Sequence, residues 1–217
     1  MALTSDAFMQ GMTPDEHMAH MKINKDRFSQ VLQGVQVSDE DKAYFSGLAK
    51  PLRVAIFTED WCGDHVSTTP VIYKLAQESK KLEVRVFIRE HHSELANSFL
   101  PENRWGTVPV FAFFNEDDMR QVGLFIETSP DLIPALDGME ADIRRSHPEV
   151  LDINKEVNEM SESTRNLIRQ ERASYRINHA PEWGKVIAHS MRETVAEGLQ
   201  RQPGEGPAVG GTKWPPA

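Results

Sequence analysis

The stretch between residues 54 and 75 restricts the fold more than any other, since its hydrophobic pattern changes from that of a strand to that of a helix. Its first part is a short apolar run that ends at the acidic pair Glu59 and Asp60. Its last part places apolar residues at helical spacing: Val71, Ile72, Leu75 and Ala76. The pattern predicts a strand, a tight connection and a helix.

The connection holds Cys62, the only cysteine of the chain, at the predicted start of the helix. Unpaired backbone N–H groups and the helix dipole favour an anion there, so the position predicts a thiol shifted towards thiolate. Asp64 acts in the opposite direction, because a carboxylate disfavours a neighbouring thiolate. Pro70 lies eight residues after Cys62, where a proline removes a backbone hydrogen bond and bends the helix.

The five residues from Trp61 read W-C-G-D-H. They resemble the active-site segment of thioredoxin-like proteins, W-C-G-x-C at a helix start, with a kinking proline eight residues after the first cysteine. The most similar variant is a group of bacterial thioredoxin-like proteins with W-C-G-D-C, in which His65 of this chain replaces the second cysteine. The resemblance implies a catalytic Cys62, with Trp61, Gly63 and Asp64 next to the substrate.

A second segment, Thr107-Val108-Pro109, carries the same resemblance. In thioredoxin-like proteins a cis-proline opens a strand beside the active cysteine, and the residue before it offers backbone hydrogen bonds to an incoming peptide or thiol. The resemblance therefore implies a cis Pro109 near Cys62 and a substrate groove formed with Thr107 and Val108. A trans proline at the first residue of a strand is the alternative interpretation.

His65 has two interpretations, which the sequence leaves open. A protonated His65 would lower the pKa of Cys62 and a neutral one would act as a base, so it is a candidate catalytic residue. Alternatively, it is a neutral polar residue that fills the space of a lost cysteine. Thioredoxins also place a buried acid where this chain has Ile56, so the acid and the second cysteine are lost together. Glu59 and Asp60 lie nearer the loop and are expected to be solvated.

The predicted elements from residue 52 to 146 follow the order β-α-β-α-β-β-α, which is the thioredoxin-like topology. Strands are predicted over 52–57, 82–88, 110–114 and 121–126. The first two strands and their helix form a βαβ unit, so they should be parallel. The expected fold class is therefore α/β, a thioredoxin-like fold with a central four-stranded mixed sheet flanked by helices, and with N- and C-terminal helical extensions.

The chain divides into four predicted parts. They are an N-terminal helical extension (1–50), a thioredoxin-like domain (51–146), a C-terminal helical extension (147–201) and a flexible tail (202–217). The first extension is expected to form three short helices, and the second to form helices over 151–160, over 163–175 and from Pro181. Gly and Pro dominate the tail, in which Trp214 is expected to anchor the chain to the body.

Composition excludes several classes of function. The chain has 24 basic and 33 acidic residues, a net charge of −9 and no basic run, which argues against nucleic acid as a partner. No apolar run has the length of a membrane span, so no membrane association is expected. One cysteine in 217 residues rules out an internal disulfide and favours a reducing compartment, so the expected location is cytoplasmic.

Zinc is the metal that the residue types allow. Cys62, His65, His91 and His92 include its usual ligand atoms. A C-x-x-H pair without a second such pair is weak evidence, however, so no metal site is predicted.

The first functional hypothesis is thiol–disulfide exchange through a single cysteine. Cys62 would attack a protein disulfide or a protein–thiol adduct, and an external thiol would resolve the mixed disulfide. The T-V-P segment is similar to that of glutaredoxins, which hold glutathione there. That similarity implies glutathione or another low-molecular-weight thiol as a co-substrate, and no other cofactor.

Two other hypotheses stay open. One is a redox-inactive binding module that uses the groove beside Trp61 and Pro109, with a protein partner at the helical extensions. The other is peroxide sensing, in which Cys62 is oxidised to a sulfenate.

Overall fold

The structure is a computed structural model, and it describes residues 3–202 and 204–212. Four short helices precede the sheet: α1 (Ser5–Met9), α2 (Pro14–His20), α3 (Lys25–Gly34) and α4 (Asp39–Ser46). Thr13 starts α2 in a capping box, in which its hydroxyl accepts the backbone N–H of Glu16 and the Glu16 carboxylate accepts the N–H of Thr13. Four helices therefore stand where three were expected.

A five-stranded mixed sheet forms the centre of the molecule. Its strands are β1 (Leu52–Thr58), β2 (Leu82–Ile88), β3 (Val110–Asn115), β4 (Gln121–Ile126) and β5 (Ala208–Gly211), in the spatial order β2-β1-β3-β4-β5. β1 and β2 are parallel, as the βαβ pattern predicted, and β3 is antiparallel to both β1 and β4. The first four strands agree with the prediction to within one residue, and the α/β thioredoxin-like fold is confirmed.

Helices cover both sides of this sheet. They are α5 (Gly63–Ser79), α6 (Ser93–Asn97), α7 (Ile133–Ser146) and α8 (Glu162–Gln200). α5 connects β1 to β2 and contains Pro70. Because side chains alternate along a strand, Val54 and Ile56 pack in one hydrophobic cluster with α5, while Ala55 and Phe57 pack in another on the opposite face.

Both helical extensions share a hydrophobic core with the central sheet. The cluster around α5 includes side chains from α3, α4 and α8: Phe28, Val31, Phe45, Trp183, Ile187 and Met191. All six are buried. Neither extension is therefore detached from the body, as expected for segments that would otherwise leave large apolar side chains in water.

The C-terminal extension differs from its prediction in two respects. Residues 151–160 are not an α-helix but turns with a short 3-10 segment, Val157–Glu159, and Leu151 is fully exposed. The two helices expected around Pro181 are one continuous helix of 39 residues. A proline inside a helix costs about 3 kcal/mol, and here the core packing of the flanking turns, through Ala180 and Trp183, offsets that cost.

The expectation of a flexible tail over 202–217 also needs correction, because residues 208–211 form the edge strand β5, parallel to β4. The two glycines within this strand, Gly210 and Gly211, lie where no side chain fits. A Cβ on Gly210 would lie 2.0 Å from the Thr194 hydroxyl oxygen, and one on Gly211 would lie 2.1 Å from the Ile126 carbonyl oxygen. Trp214 lies outside the described residues. Among the residues that the structure describes, no helix has both the length and the apolar character of a membrane span.

Candidate functional site

The site is centred on Cys62, which caps the N-terminus of α5 directly after β1. Its side chain is 9% exposed, and its S–H group donates to the backbone carbonyl oxygen of Val108, with the two heavy atoms 3.4 Å apart. The peptide bond between Val108 and Pro109 is cis. The fold thus brings the W-C-G-D-H and T-V-P segments into direct contact.

Burial governs the ionisation of this thiol. Burial, and after it the neighbouring Asp64 carboxylate, raises the pKa of Cys62 to about 11. The backbone N–H groups of His65 and Asp64, together with the Arg176 guanidinium, act in the opposite direction but do not offset burial. The expectation of a thiol shifted towards thiolate is therefore wrong for the resting protein, in which the thiol is protonated at neutral pH.

His65 is a buried core residue. Its ring stacks on Phe28 with centroids 5.0 Å apart, and its Nδ1 forms a 2.8 Å hydrogen bond with the Thr69 hydroxyl. Burial and the neighbouring His17 hold the pKa of His65 well below its ordinary value, so the imidazole is neutral. Among the described residues its ring makes no hydrogen bond with the Cys62 thiol. Of the two interpretations of His65, the space-filling one agrees with this geometry, and a role in catalysis does not.

Arg176 of α8 lies over the helix start, and sequence analysis missed it. Its Nε donates to the Ser67 hydroxyl at 3.0 Å, and its Nη2 lies 3.5 Å from the Asp64 carboxylate. A Cβ on Gly63 would lie 3.0 Å from the same guanidinium nitrogen, so glycine at this position makes room for the arginine. The signal was the helical spacing of Arg165, Arg169, Arg172 and Arg176, the last of which directly follows the helix predicted over 163–175.

A family model described as Thioredoxin matches residues 11–140, which is more than half of the chain. The chain belongs to the thioredoxin family. The match begins inside the predicted N-terminal extension, so helices α2, α3 and α4 lie within the matched region and α1 lies before it.

Two solved structures resemble this thioredoxin-family chain. One is a Pseudomonas aeruginosa protein of unknown function, with 14% identity, a TM-score of 0.55, and coverage of 82% of this chain and 96% of that one. The other is an HIV epitope-scaffold, with 10% identity, a TM-score of 0.52, and coverage of 82% and 95% respectively. At such identities the likeness concerns the fold alone. No curated protein matches the chain.

The other predicted site residues of this thioredoxin-family chain are sequence neighbours of Cys62 and of Val108. Trp61 is 61% exposed, and Trp105, which sequence analysis did not single out, is 56% exposed. Thr107 is half-buried and donates its backbone N–H to the Arg104 carbonyl oxygen at 3.1 Å. Within residues 3–202 and 204–212, no group of three His, Cys, Asp or Glu side chains is arranged to hold a metal ion.

Both members of the acidic pair before the cysteine bind backbone N–H groups, and Glu59 is buried rather than solvated, which corrects that part of the prediction. Glu59 is 7% exposed and accepts the backbone N–H of Glu90 at 2.6 Å. The Asp60 carboxylate accepts the backbone N–H groups of Lys22 and Ile23, each at 2.9 Å. The two carboxylates thus tie the loop before Cys62 to the turn between α2 and α3 and to the end of β2.

A cleft of about 610 Å³ opens beside Trp61 and Gly63, between α3, the start of α5 and α8. Four arginines line it: Arg27, Arg169, Arg172 and Arg176. The only carboxylate in its lining is that of Asp64. We name this feature the arginine cleft, defined by those four arginines together with Trp61 and Ile23.

Proposed function

We propose that this protein takes part in thiol–disulfide exchange through the single thiol of Cys62. The observation that carries the proposal is the contact between the Cys62 thiol and the Val108 carbonyl, beside the cis Pro109. A disulfide that replaces this hydrogen bond would lie against the thiol and leave the Val108 carbonyl free to accept a hydrogen bond from the substrate, whereas the Thr107 N–H is already donated to Arg104. The substrates in this proposal are protein disulfides or adducts between a protein and a small thiol.

The reaction consists of two exchanges. The Cys62 thiolate attacks one sulfur of the substrate disulfide, a new S–S bond forms, and the other sulfur leaves as a thiolate. Since the chain has one cysteine, a thiol from outside must attack the mixed disulfide. That attack restores Cys62 and carries the first sulfur away in a new disulfide. Glutathione or a similar small thiol, abundant in a reducing compartment such as the cytoplasm, would serve as this co-substrate.

The raised pKa of Cys62 limits the rate of the first step. With a pKa of about 11, about one thiol in ten thousand is ionised at pH 7. Exchange therefore depends on substrate binding, which would replace the hydrogen bond to Val108 and change the surroundings of the sulfur.

The alternative function is that of a redox-inactive binding module. A buried, protonated thiol is compatible with a groove that serves only for recognition. The exposed Trp61 beside Pro109 would then contact a protein partner without any covalent step.

Alkylation of Cys62 distinguishes the two functions. The rate with iodoacetamide is measured from pH 6 to 11 by mass spectrometry, with and without an oxidised small-thiol disulfide, and Cys62→Ser is the blank. Thiol exchange predicts a mixed disulfide on Cys62 that a reduced thiol releases. If the cysteine stays reduced under excess disulfide at pH 8 while the unfolded chain reacts, the exchange function is wrong and the binding module is favoured.

A further inference from the structure

The arginine cleft concentrates positive charge on an otherwise acidic protein. The chain carries a net charge of −9, yet the lining of this cleft holds four arginines and one carboxylate. Like charges that converge without compensation destabilise a fold, so such a cluster is a sign of an absent anion.

Two of the four arginines already have carboxylate partners. Arg172 forms a bidentate pair with Glu140 of α7, in which Nη2 donates to the carboxylate at 2.7 Å and Nε donates to its other oxygen. Arg176 is paired with Asp64 at 3.5 Å. These pairs fix two guanidinium groups in the wall of the cleft and neutralise their charge.

Arg27 and Arg169 are different. Arg27 donates to the amide oxygen of Asn24 at 3.0 Å, and Arg169 donates to that of Asn166 at 2.8 Å. In the described part of the chain, neither lies within ion-pair distance of a carboxylate. The two arginines come from α3 and α8 and line the same cleft, so two positive charges face one space.

The apolar part of the cleft lies beside these charges. Trp61 is 61% exposed and Ile23 is 51% exposed, and both line the same space as Arg27 and Arg169. An arginine fork binds carboxylate or phosphate oxygens in pairs, and an exposed indole ring covers an apolar stem. The lining therefore fits a small organic molecule that carries one or two oxyanion groups on an apolar chain.

We infer that the arginine cleft is a binding site for such an oxyanion-bearing molecule, held by Arg27 and Arg169 against Trp61. The cleft adjoins the thiol, because Trp61 and Gly63 line it and flank Cys62 in the chain. Where the proposed exchange function holds, on which this step rests, the cleft selects small disulfides and thiols with acidic groups as the substrates of Cys62.

Equilibrium binding tests the cleft without the thiol. Cys62→Ser protein is titrated by calorimetry with 3,3′-dithiodipropionate, with neutral bis(2-hydroxyethyl) disulfide and with inorganic phosphate. Binding of the dicarboxylate but not of the neutral disulfide is expected, and it should weaken as NaCl is raised. The phosphate titration reports whether a bare phosphate suffices or whether the carboxylates and the apolar stem are both needed.

Charge variants identify the residues. Arg27→Gln and Arg169→Gln, each made in the Cys62→Ser background, should weaken dicarboxylate binding about tenfold. Arg165→Gln is the matched control, since it removes the same charge from the same helix but lies outside the cleft lining. Equal affinity in all three variants, or no binding of either anion, would overturn the inference.

Reaction rates separate this inference from the exchange function. In protein with Cys62 intact, mixed-disulfide formation should be faster with dithiodipropionate than with the neutral disulfide, and Arg27→Gln with Arg169→Gln should abolish the difference. Anion binding without any mixed disulfide would sink the exchange function and leave the cleft intact. Formation of the mixed disulfide at equal rates with both disulfides, in the absence of anion binding, would overturn the inference about the cleft and leave the exchange function intact.

Discussion

Two charged side chains act on the Cys62 thiol in opposite directions. Asp64 raises the pKa of the thiol, while Arg176, which lies over Gly63, lowers it. Burial is the larger effect, and it determines the protonated resting state. Burial therefore determines the resting protonation state of the thiol, and the charges of Asp64 and Arg176 change its pKa to a smaller extent.

Removal of the Asp64 charge should make Cys62 more reactive. In Asp64→Asn the carboxylate no longer opposes ionisation and the Arg176 guanidinium is freed from its partner. The thiolate fraction at a fixed pH should rise about threefold to tenfold. The iodoacetamide rate at pH 8 measures it. Asp137→Asn, an exposed carboxylate on α7, is the control, and equal rates in the two variants would contradict the argument.

Two buried histidines give the protein a pH-dependent stability. His17 and His65 pack edge-to-face with centroids 5.1 Å apart, and the Nδ1 of His17 pairs with the Tyr73 hydroxyl at 2.8 Å. Burial lowers the pKa of His17 to about 4, and burial together with His17 lowers that of His65. Protonation of either ring therefore opposes the folded state.

The direction of this pH dependence follows from the pKa of His17 in the unfolded and the folded chain. An unfolded histidine binds its proton near pH 6.5, whereas folded His17 does so near pH 4. Between these values the unfolded chain binds more protons, so the free energy of unfolding falls as the pH decreases. The His17 share is about 3 kcal/mol, and it is fully lost near pH 4. In urea unfolding at pH 7 and pH 5, His17→Gln should lose less stability than the wild type. His91→Gln, at an exposed position away from this pair, should behave as the wild type.

The sequence predicted part of this residue-scale picture. The contact between the W-C-G-D-H and T-V-P segments followed from the family resemblance, because local motifs carry it. The state of His65 did not follow, since its ring is set by Phe28 and His17, which come from helices distant in sequence. Arg176 was missed for the same reason: helix α8 folds back over α5 only in the tertiary structure.

Helix α8 packs against both the N-terminal extension and the thioredoxin-like body. It packs on α3, α5, β4 and β5, and glycines allow the closest of these approaches. A Cβ on Gly198 would lie 1.8 Å from the Val122 carbonyl oxygen of β4, and one on Gly184 would lie 2.6 Å from that of Gln36. Backbone therefore lies against backbone at two points along the helix.

Gly198→Ala should destabilise the protein although alanine favours helix. The new methyl group has no space, and the helix must move away from β4, which should cost about 2 kcal/mol or more. Gly138→Ala on α7 is the matched control, because nothing lies within 4 Å of its Cβ position. That variant should gain up to about 1 kcal/mol from helix propensity. Urea unfolding measures both, and a stabilised Gly198→Ala would contradict the packing argument.

The sequence predicted some of the helices and strands correctly and missed others. Strands β1 to β4 were found because their apolar runs and alternation are local features of the sequence. The continuity of α8 through Pro181 was missed, since a proline is a local stop signal that only core packing overrides. Strand β5 was missed because its glycines indicate flexibility in a sequence and close packing in the structure.

At the scale of the whole molecule, the C-terminal segment adds the edge strand β5 to the sheet. β5 pairs with β4 from Gly123–Ala208 to Ile126–Gly211, and it covers an edge that would otherwise present unpaired backbone groups. Arg104, which is 6% exposed, donates to the Thr212 carbonyl at 2.6 Å and to the Glu127 carboxylate at 3.1 Å. Glu127 in turn donates its backbone N–H to the Pro109 carbonyl at 2.8 Å. The edge strand is thus connected to the cis-proline segment of the site.

Removal of β5 should therefore weaken both the fold and the site. A chain that ends after Gln202 loses the strand and the Thr212 partner of Arg104, and it should lose about 3 to 5 kcal/mol of unfolding free energy. The bare β4 edge should also promote association through edge pairing, which size-exclusion chromatography at several concentrations would detect. A chain that ends after Thr212 keeps the strand and the Thr212 contact with Arg104, and it is the control.

Because Arg104 and Glu127 also hold the segment around Pro109, iodoacetamide should reach Cys62 faster in the shorter chain than in the control. Equal stability and equal Cys62 reactivity in the two truncated chains would mean that β5 is not part of the cooperative fold.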